Sequence, residues 1–194
     1  MTFRMLWASF KLIILATLVI GLGYTFAMTG LAEALFPHQA NGSLITYHGR
    51  TVGSSLVGQQ FTSLKFFQGR PSATTPPYNA ADSSPSNFGP TNPKLLEEID
   101  SNLHRFLREN PGVKADQVPP AMVESSGSGL DPDIPVEGAI LQAPRVARMN
   151  HLSIQEVDHL IHQHIHGRFL GIFGHSYVNV LKLNLALEQL KNDK

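Results

Sequence analysis

The chain has 194 residues, with 15 basic and 15 acidic side chains, no cysteine and a formal net charge of zero. A neutral balance without a basic run excludes the electrostatic pattern of a protein that binds nucleic-acid backbones, so we expect no nucleic-acid partner. The lack of cysteine also excludes disulfides, thiolate metal sites and a cysteine nucleophile.

The first predicted element is a membrane span. Residues 12–32 form an uncharged run of 21 residues, 15 of them apolar. At a rise of about 1.5 Å per residue, such a helix measures roughly 31 Å, the thickness of bilayer hydrocarbon. We therefore predict a transmembrane anchor over residues 1–35 and a separate domain over residues 36–194. Phe36-Pro37 should end the helix, because proline restricts the residue before it.

The charges around the span predict its direction. Arg4 and Lys11 precede it, and the first charged residue after it is Glu33. Positive charge stays in the cytoplasm, so we predict a single-pass protein of the inner membrane, with the N-terminus inside and the C-terminal domain outside. The alternative is a cleaved signal peptide with a small-x-small site at residues 32–34, although the apolar run exceeds the about 7 to 15 residues usual for signals.

Small residues recur every fourth position in the span. They are Thr17, Gly21, Thr25 and Thr29, with Gly23 and Ala27 as a second pair. Small side chains let another helix approach closely, and threonine hydroxyls can bond across the contact, so this spacing favours a partner helix. The alternative is chance, because glycine and threonine are frequent in isolated spans.

After the span, β-branched and aromatic residues predict one or two strands over residues 43–47 and 51–61, joined near His48-Gly49. Residues 69–93 are dominated by turn-forming types and predict a long loop, either functional or disordered.

Three helices are then predicted. Asn92-Pro93 opens the first, which Asn110 stops. Residues 136–150 are predicted as a kinked helix or two short ones, because Pro144 interrupts them. Ser153 and Glu156 form a capping box that opens a helix over residues 154–166.

The C-terminal part predicts a short strand pair, residues 169–173 and 177–182, around Gly174, and a last helix carrying Leu183, Leu187 and Leu190. Alternating leucines equally allow a longer strand there. The fold class is therefore α+β: a single N-terminal transmembrane helix followed by a mixed α+β extracytoplasmic domain.

Two clusters of residues are candidates for a metal site or a binding site. His159, His162 and His166 would lie within about 60° of one another on a helix, and His164 is close by, so geometry permits a metal site. The histidines are, however, flanked by acidic residues on a solvated face, and we expect no metal there.

The second cluster is the segment SSGSGLDP, residues 125–132. Its residues of interest are Ser126, Gly127, Ser128, Gly129 and Asp131. A nucleophile elbow would need glycine at position 126, and a P-loop would need Gly-Lys-Ser/Thr, so neither pattern is met. We interpret the segment as a turn in which Gly127 and Gly129 supply unusual backbone angles, and whose amides can bind an anion or a carbonyl of a partner subunit. Acidic pairs such as Glu97-Glu98 are not placed across a cleft, so no catalytic residue is predicted.

The sequences of several segments resemble motifs of the KdpC family, the C subunits of the potassium-importing P-type ATPase. They are SSLVGQQF (54–61), FFQGRPSA (66–73), YNAADSSPSNFGPTNP (78–93), SGSGLDP (126–132), QAPRVAR (142–148) and VNVLKLNLAL (178–187). Residues 118–126, Asp133 and Pro135 depart from the usual family pattern.

The resemblance implies an accessory subunit that is neither motor nor pore. Its implied partners are a channel-like potassium-translocating subunit, a P-type ATP-hydrolysing subunit and often a small single-helix subunit. ATP and potassium ion are then used by the complex, and no cofactor is bound firmly by this chain. Family accounts add a catalytic chaperone that raises the ATP affinity of the hydrolysing subunit.

The chaperone role conflicts with the predicted direction of the span, because an outside domain cannot touch cytoplasmic nucleotide. An outside domain can instead bias conformations through the span, if it interacts differently with the two states. The only sequence feature for direct ATP contact is Gln59 in Val57-Gly58-Gln59, which faintly resembles a nucleotide signature. The rival class is a free-standing anchored enzyme or metal-binding protein outside the membrane.

Overall fold

A computed structural model describes residues 3–192. The first two residues of the predicted anchor and the last two of the predicted domain lie outside the described residues. The chain forms two compact units, one ending at Leu44 and the other beginning at Ile45.

The N-terminal unit is built on one continuous helix, Phe3–Leu35. It consists of α1 (Phe3–Ala16), a π-helical segment (Thr17–Tyr24) and α2 (Thr25–Leu35). Among the described residues, this is the one helix long and apolar enough to cross a membrane. It ends at Phe36, whose φ of −136° leaves the helical region, and Pro37 opens the short helix α3 (Pro37–Ala40). The predicted position of the helix end is confirmed.

A hairpin of β1 (Leu44–Tyr47) and β2 (Arg50–Ser54) starts at the last residue of the first unit and opens the second unit. His48 and Gly49 join the strands, and both have positive φ, as tight hairpin turns require. The predicted strand over residues 51–61 is too long. The chain turns back after Ser54, because Gln59 Nε2 donates to the carbonyl oxygen of Val52 at 2.7 Å.

Residues 55–92 contain no helix or strand, as predicted for most of this stretch. The segment is nevertheless part of the core, because Phe67 is completely buried. Side-chain hydrogen bonds replace a sheet ladder: Ser72 Oγ accepts from the N–H of Tyr78 at 2.9 Å, and Thr74 Oγ1 accepts from the N–H of Asn79 at 2.9 Å.

Four helices follow in the second unit, α4 (Pro93–Glu109), α5 (Val136–Asn150), α6 (Ile154–Gln163) and α7 (Val180–Asn192). Asn92 caps α4 by accepting from the N–H of Lys94 at 3.0 Å, and the Ser153–Glu156 capping box opens α6, both as predicted. Two short 3₁₀ turns, Ala115–Gln117 and Pro120–Met122, connect α4 towards α5.

One helix prediction is decided between its alternatives, and another needs correction. Residues 136–150 form one helix with Pro144 inside it, which excludes the alternative of two short helices. Pro144 is exposed, and the buried residues around it, Ala143 and Val146, hold the helix against the core. The helix predicted over residues 154–166 ends at Gln163, since Ile165–His166 form strand β4 instead. The leucines of α7 are helical, which excludes the alternative of a longer strand.

The second sheet has three antiparallel strands in the order β3 (Asp133–Pro135), β5 (Tyr177–Asn179) and β4. Val178 pairs with Ile134 on one side and with Ile165 on the other. The predicted pairing of residues 169–173 with 177–182 is therefore wrong. β5 takes the central position because Val178 is fully buried between two apolar neighbours, whereas residues 169–173 close on themselves through a bridge between Phe169 and Phe173.

The core of the second unit lies where α5, α6 and α7 pack together over this sheet. Small residues at helical spacing on α5, Ala139, Ala143 and Ala147, are buried and allow close approach of α6. Val157 and Ile161 of α6 and Leu183 and Leu187 of α7 fill the interior. The mixed helix and sheet content confirms the predicted α+β class.

Candidate functional site

The predicted small residues of the span all lie in the continuous helix. Thr17, Gly21 and Gly23 belong to the π-helical segment, and Thr25, Ala27 and Thr29 belong to α2. A Cβ built on Gly21 would lie 3.7 Å from Thr17 Cγ2, so these positions are neighbours on the helix surface. Thr29 Oγ1 donates to the carbonyl oxygen of Thr25 at 2.9 Å.

The π-helical segment changes the geometry of this face. Its hydrogen bonds run between residues five apart, so residues four apart are offset differently from those in an α-helix. The predicted face is therefore not a straight stripe along the span. All described residues of the helix are exposed. Packing of a partner helix on this face stays a prediction.

The turn over residues 126–131 is a junction of the irregular segments. Two serine hydroxyls within the turn accept hydrogen bonds from backbone amides of the same turn. Ser126 Oγ accepts from the N–H of Gly129 at 3.0 Å, and Ser128 Oγ accepts from the N–H of Leu130 at 3.1 Å. The carbonyl oxygens of the turn bind the preceding loop. That of Gly129 accepts from Ser72 Oγ at 2.7 Å, and that of Ser128 accepts from Ser83 Oγ at 2.9 Å. Within the segment predicted to bind an anion or a partner carbonyl, the amides of Gly129 and Leu130 are therefore already hydrogen-bonded.

Close packing explains one of the two glycines in this turn. Gly129 has φ of +68°, and a Cβ there would lie 2.7 Å from Thr74 Cγ2 and 2.9 Å from the carbonyl oxygen of Ser84. Gly127 has nothing within 4 Å of a built Cβ. The prediction that both glycines supply unusual backbone angles is confirmed for Gly129 only, since Gly127 is not among the positive-φ residues of the described chain.

Asp131 ends this turn and ties it to the preceding loop. Its Oδ2 accepts from Arg70 Nη1 at 2.8 Å, and its Oδ1 accepts from the N–H of Asp133 at 3.0 Å. Arg70 Nε also donates to the carbonyl oxygen of Ala121 at 3.1 Å. Both side chains of the Arg70–Asp131 ion pair are mostly shielded from solvent, at 21% and 27% exposure. The pair joins three chain segments.

A groove of about 790 Å³ runs beside this junction, between the irregular segment and α4. Arg70 and Tyr78 line one side, and Lys94 and Glu98 line the other. Tyr78 Oη donates to the carbonyl oxygen of Arg70 at 2.7 Å. Burial, reinforced by the nearby Asp131 carboxylate, raises the pKa of Tyr78 to about 12, so the phenol stays a donor at neutral pH. The mixed charge of the lining selects no single ligand class.

Gln59 and the histidines have local roles in this structure. The Gln59 amide donates to β2, and a Cβ on Gly53 would collide with it, so Gln59 is packed against the strand. Direct contact of Gln59 with ATP stays a prediction.

The histidines do not share one helix face. His159 and His162 lie on α6, whereas His166 lies on β4 and stacks on Tyr177 with ring centroids 5.1 Å apart. His164 Nδ1 is 2.8 Å from the carbonyl oxygen of Leu160. Among residues 3–192, no group of three His, Asp or Glu side chains comes together in a metal-binding arrangement.

Sequence reasoning missed a set of buried polar side chains that clamp residues 64–68. Asn184 on α7 accepts from the N–H of Phe67 at 2.8 Å and donates to its carbonyl oxygen at 2.9 Å. Gln142 on α5 accepts from the N–H of Gln68 at 2.8 Å and donates to its carbonyl oxygen at 3.2 Å. Each amide thus imitates the partner strand that this irregular segment lacks.

Arg145 completes the clamp. It donates to the carbonyl oxygens of Leu64 and Phe66, to Asn110 Oδ1 at 2.9 Å and to Gln142 Oε1 at 2.7 Å. Burial lowers the pKa of Arg145 to about 10, so it remains charged at neutral pH. The sequence did contain a signal for this clamp. Gln142, Arg145 and Asn184 lie among the apolar residues on the inward faces of their helices, where a polar side chain must find a buried partner.

These features define a class of protein: a helix able to span a membrane, joined to a compact α+β unit whose buried polar residues hold an irregular segment in place. The family model described as KdpC, K+-transporting ATPase, c chain, matches residues 6–189. The chain belongs to the KdpC family.

Relatives named potassium-transporting ATPase KdpC subunit are similar over most of their length. The protein of Caldanaerobacter subterraneus subsp. tengcongensis is 49% identical, over 95% of this chain and 95% of its own. That of Methylobacterium nodulans is 48% identical, over 90% and 91%. That of a Janthinobacterium species is 49% identical, over 89% and 92%.

Proposed function

We propose that this chain is the accessory subunit of a high-affinity, ATP-driven potassium import complex. Its partners are a channel-like potassium-translocating subunit, a P-type ATP-hydrolysing subunit and a small single-helix subunit. The observation that carries the proposal is the family match over residues 6–189, because it includes both the span and the α+β unit.

The span supplies the contact that stabilises assembly. Its helix is exposed throughout, and its glycines and threonines allow a second helix to approach closely. The chain therefore holds the two large subunits together within the bilayer.

The α+β unit lies outside the membrane, since Arg4 and Lys11 hold the N-terminus in the cytoplasm. It promotes ATP binding by the hydrolysing subunit indirectly, by favouring one conformation of the complex through the span. Direct contact of Gln59 with ATP is the alternative mechanism, and it requires the α+β unit to lie in the cytoplasm instead.

Purification from detergent extracts tests the assembly role. A tag on this chain should bring down two large polytopic subunits, and deletion of the chain should abolish growth on trace potassium. Recovery of the chain without those subunits, together with unimpaired growth of the deletion strain, would contradict the proposal.

Cysteine labelling tests the topology independently. The chain has no cysteine, so Gln189→Cys on the exposed surface of α7 introduces a unique thiol. A membrane-impermeant maleimide should label it before the inner membrane is breached. Labelling only after the membrane is breached would place the α+β unit in the cytoplasm and would make direct nucleotide contact the better mechanism.

A further inference from the structure

The hairpin formed by β4 and β5 projects an unusual turn. Residues 166–177 are all exposed, although they include large apolar side chains. Phe169, Leu170, Ile172 and Phe173 are exposed by 70%, 75%, 73% and 62%. We refer to residues 169–173 as the apolar tip. Single exposed apolar residues are ordinary, but four within five residues mark an interaction surface.

The apolar tip does not serve the folding of the hairpin. Leu170 has φ of +52°, a conformation that favours glycine, asparagine or aspartate over a branched apolar residue. Its side chain is three-quarters exposed and fills no space in the core. A leucine at this position costs conformational energy without a packing gain, so its role lies outside the folded unit.

We propose that the apolar tip inserts into the interfacial region of the lipid bilayer. The backbone of the tip is suited to such an environment. The N–H of Phe169 donates to the carbonyl oxygen of Phe173 at 2.9 Å, and the N–H of Phe173 donates back at 3.0 Å. Gly171 and Ile172 donate to the carbonyl oxygens of Arg168 and Phe169 at 3.1 and 3.2 Å. Four of the five amides of the tip are therefore bonded to backbone carbonyls of residues 168–173, which leaves few backbone donors to be desolvated when the tip enters the interfacial region.

The charges around the tip match an anionic lipid surface. Arg168 directly precedes the tip, and the chain carries no acidic residue between Asp158 and Glu188, so the charge next to the tip along the sequence is positive. Asp133 is opposite Asn179, at the end of β5 away from the tip. Basic residues beside an apolar element are the pattern of proteins that bind the surface of anionic membranes.

The area of the tip also favours lipid over a protein partner. Its four side chains expose roughly 500 Å² together, below the about 800 Å² that one partner contributes to a standard protein interface. A small surface is sufficient for lipid, because the chain is covalently continuous with its own membrane span and cannot diffuse away. This inference is independent of the proposed role in potassium import.

A fluorescent probe can test the insertion in the intact chain. Leu170→Cys gives a unique thiol for an environment-sensitive label, and Ala81→Cys, exposed in the other long loop, gives the control. Both full-length proteins are reconstituted into phosphatidylcholine–phosphatidylglycerol vesicles with iodide on both faces. We expect iodide to quench the label at position 170 at least about threefold less than the label at position 81, since ions are excluded from hydrocarbon. Doxyl-labelled lipids should quench only the label at position 170.

A second pair of variants keeps the test specific. In the Leu170→Cys background, Phe169→Ser with Ile172→Ser should return iodide quenching to the level at position 81. The matched change of two exposed apolar residues elsewhere, Leu96→Ser with Ile140→Ser, should leave the label in lipid. Circular dichroism checks that each variant is folded.

Two results would overturn the inference. One is equal iodide quenching at positions 170 and 81 in vesicles that contain this chain alone. The other is shielding of position 170 that appears only after the two large subunits are added, without quenching by doxyl lipid, because the tip would then dock on protein. Co-purification of those subunits is measured separately, so failure of the lipid contact and failure of the proposed function are distinguishable.

Discussion

At the scale of single residues, the turn at 126–131 shows how little space the irregular segments leave. Gly129 combines a positive φ with carbonyl and methyl groups within 3 Å of a built Cβ, whereas Gly127, two residues earlier, faces open space. The backbone of the Ser84 segment cannot move away without losing the hydrogen bond from Ser83 to Ser128. The two glycines therefore have different structural roles in one motif.

This difference predicts the effect of alanine at each position. Gly129→Ala should lower the free energy of unfolding by about 2 kcal/mol or more, because it adds backbone strain and a steric collision. Gly127→Ala should change it by no more than about 0.5 kcal/mol. Urea denaturation of the full chain in detergent, followed by circular dichroism, measures both. Equal effects of the two substitutions would mean that the turn is not packed as described.

Asp133 predicts a pH dependence. Burial raises the pKa of its carboxyl above 3.8, while the hydrogen bond from Asn179 partly opposes the shift. The folded state thus binds a proton more readily than the unfolded state, so Asp133 makes the protein less stable as pH rises from 3.8 through the raised pKa.

The isosteric variant Asp133→Asn tests this direction. Asparagine can still accept from Asn179, but it cannot ionise. The free energy of unfolding of the variant, relative to the parent, should increase as pH rises from 3.8 through the raised pKa of Asp133, and then level off. Denaturation midpoints at a series of pH values measure this trend. A difference that stays constant across this range would show that Asp133 titrates normally in the folded chain.

At the scale of elements, the helices α5 and α7 also stabilise the irregular segment around residues 67 and 68. Gln142 and Asn184 replace the ladder of a sheet for residues 67 and 68, and Phe67 enters the core as a result. Buried backbone groups must find partners, and here the partners are amide side chains on two separate helices. The irregular segment is ordered because the helices carry its hydrogen bonds.

Asn184→Leu should therefore disturb the loop as well as the helix. The substitution keeps the number and branching of the side-chain heavy atoms but leaves the N–H and carbonyl of Phe67 unpaired, which should cost about 2 to 4 kcal/mol of unfolding free energy. Gln189→Leu, on the exposed side of the same helix, should cost no more than about 0.5 kcal/mol. Proteolysis in the segment 55–92 should increase for the first variant only. Unchanged stability of Asn184→Leu would show that water replaces the clamp.

At the scale of the whole molecule, the two units differ in how much apolar surface they expose. The helix Phe3–Leu35 exposes apolar residues along its length, whereas the second unit has a buried apolar core and leaves the apolar tip exposed. A lone apolar helix cannot be satisfied by water, so it requires lipid or other helices. The family assignment indicates that the other helices are those of a K+-transporting ATPase.

This scale predicts a defect in assembly without a defect in folding. Gly21→Leu places a bulky side chain on the predicted contact face, and Gly30→Leu places the same side chain outside it. The yield of the two large subunits that co-purify with the chain should fall at least about fivefold for Gly21→Leu, because the larger side chain prevents the close approach of a second helix. Gly30→Leu should retain them. Equal yields from both variants would remove Gly21 from the interface.

The sequence by itself determined the features that depend on local chemistry. The span and its end at Phe36 follow from uncharged length and a proline, and the starts of α4 and α6 follow from Asn92 and Ser153, whose side chains bond amides only two or three residues away. The family resemblance was equally readable, because it rests on strings of adjacent residues. These signals need no knowledge of distant contacts.

The tertiary structure decided which strands pair and where irregular backbone finds its partners. Val178 pairs with Ile134 and Ile165 because a central strand needs apolar neighbours on both sides, and no local pattern names those neighbours. Residues 64–68 depend on Gln142, Arg145 and Asn184, which lie far along the chain. The apolar tip likewise emerged only when the fold left it uncovered, since exposure is a property of packing and not of the residues themselves.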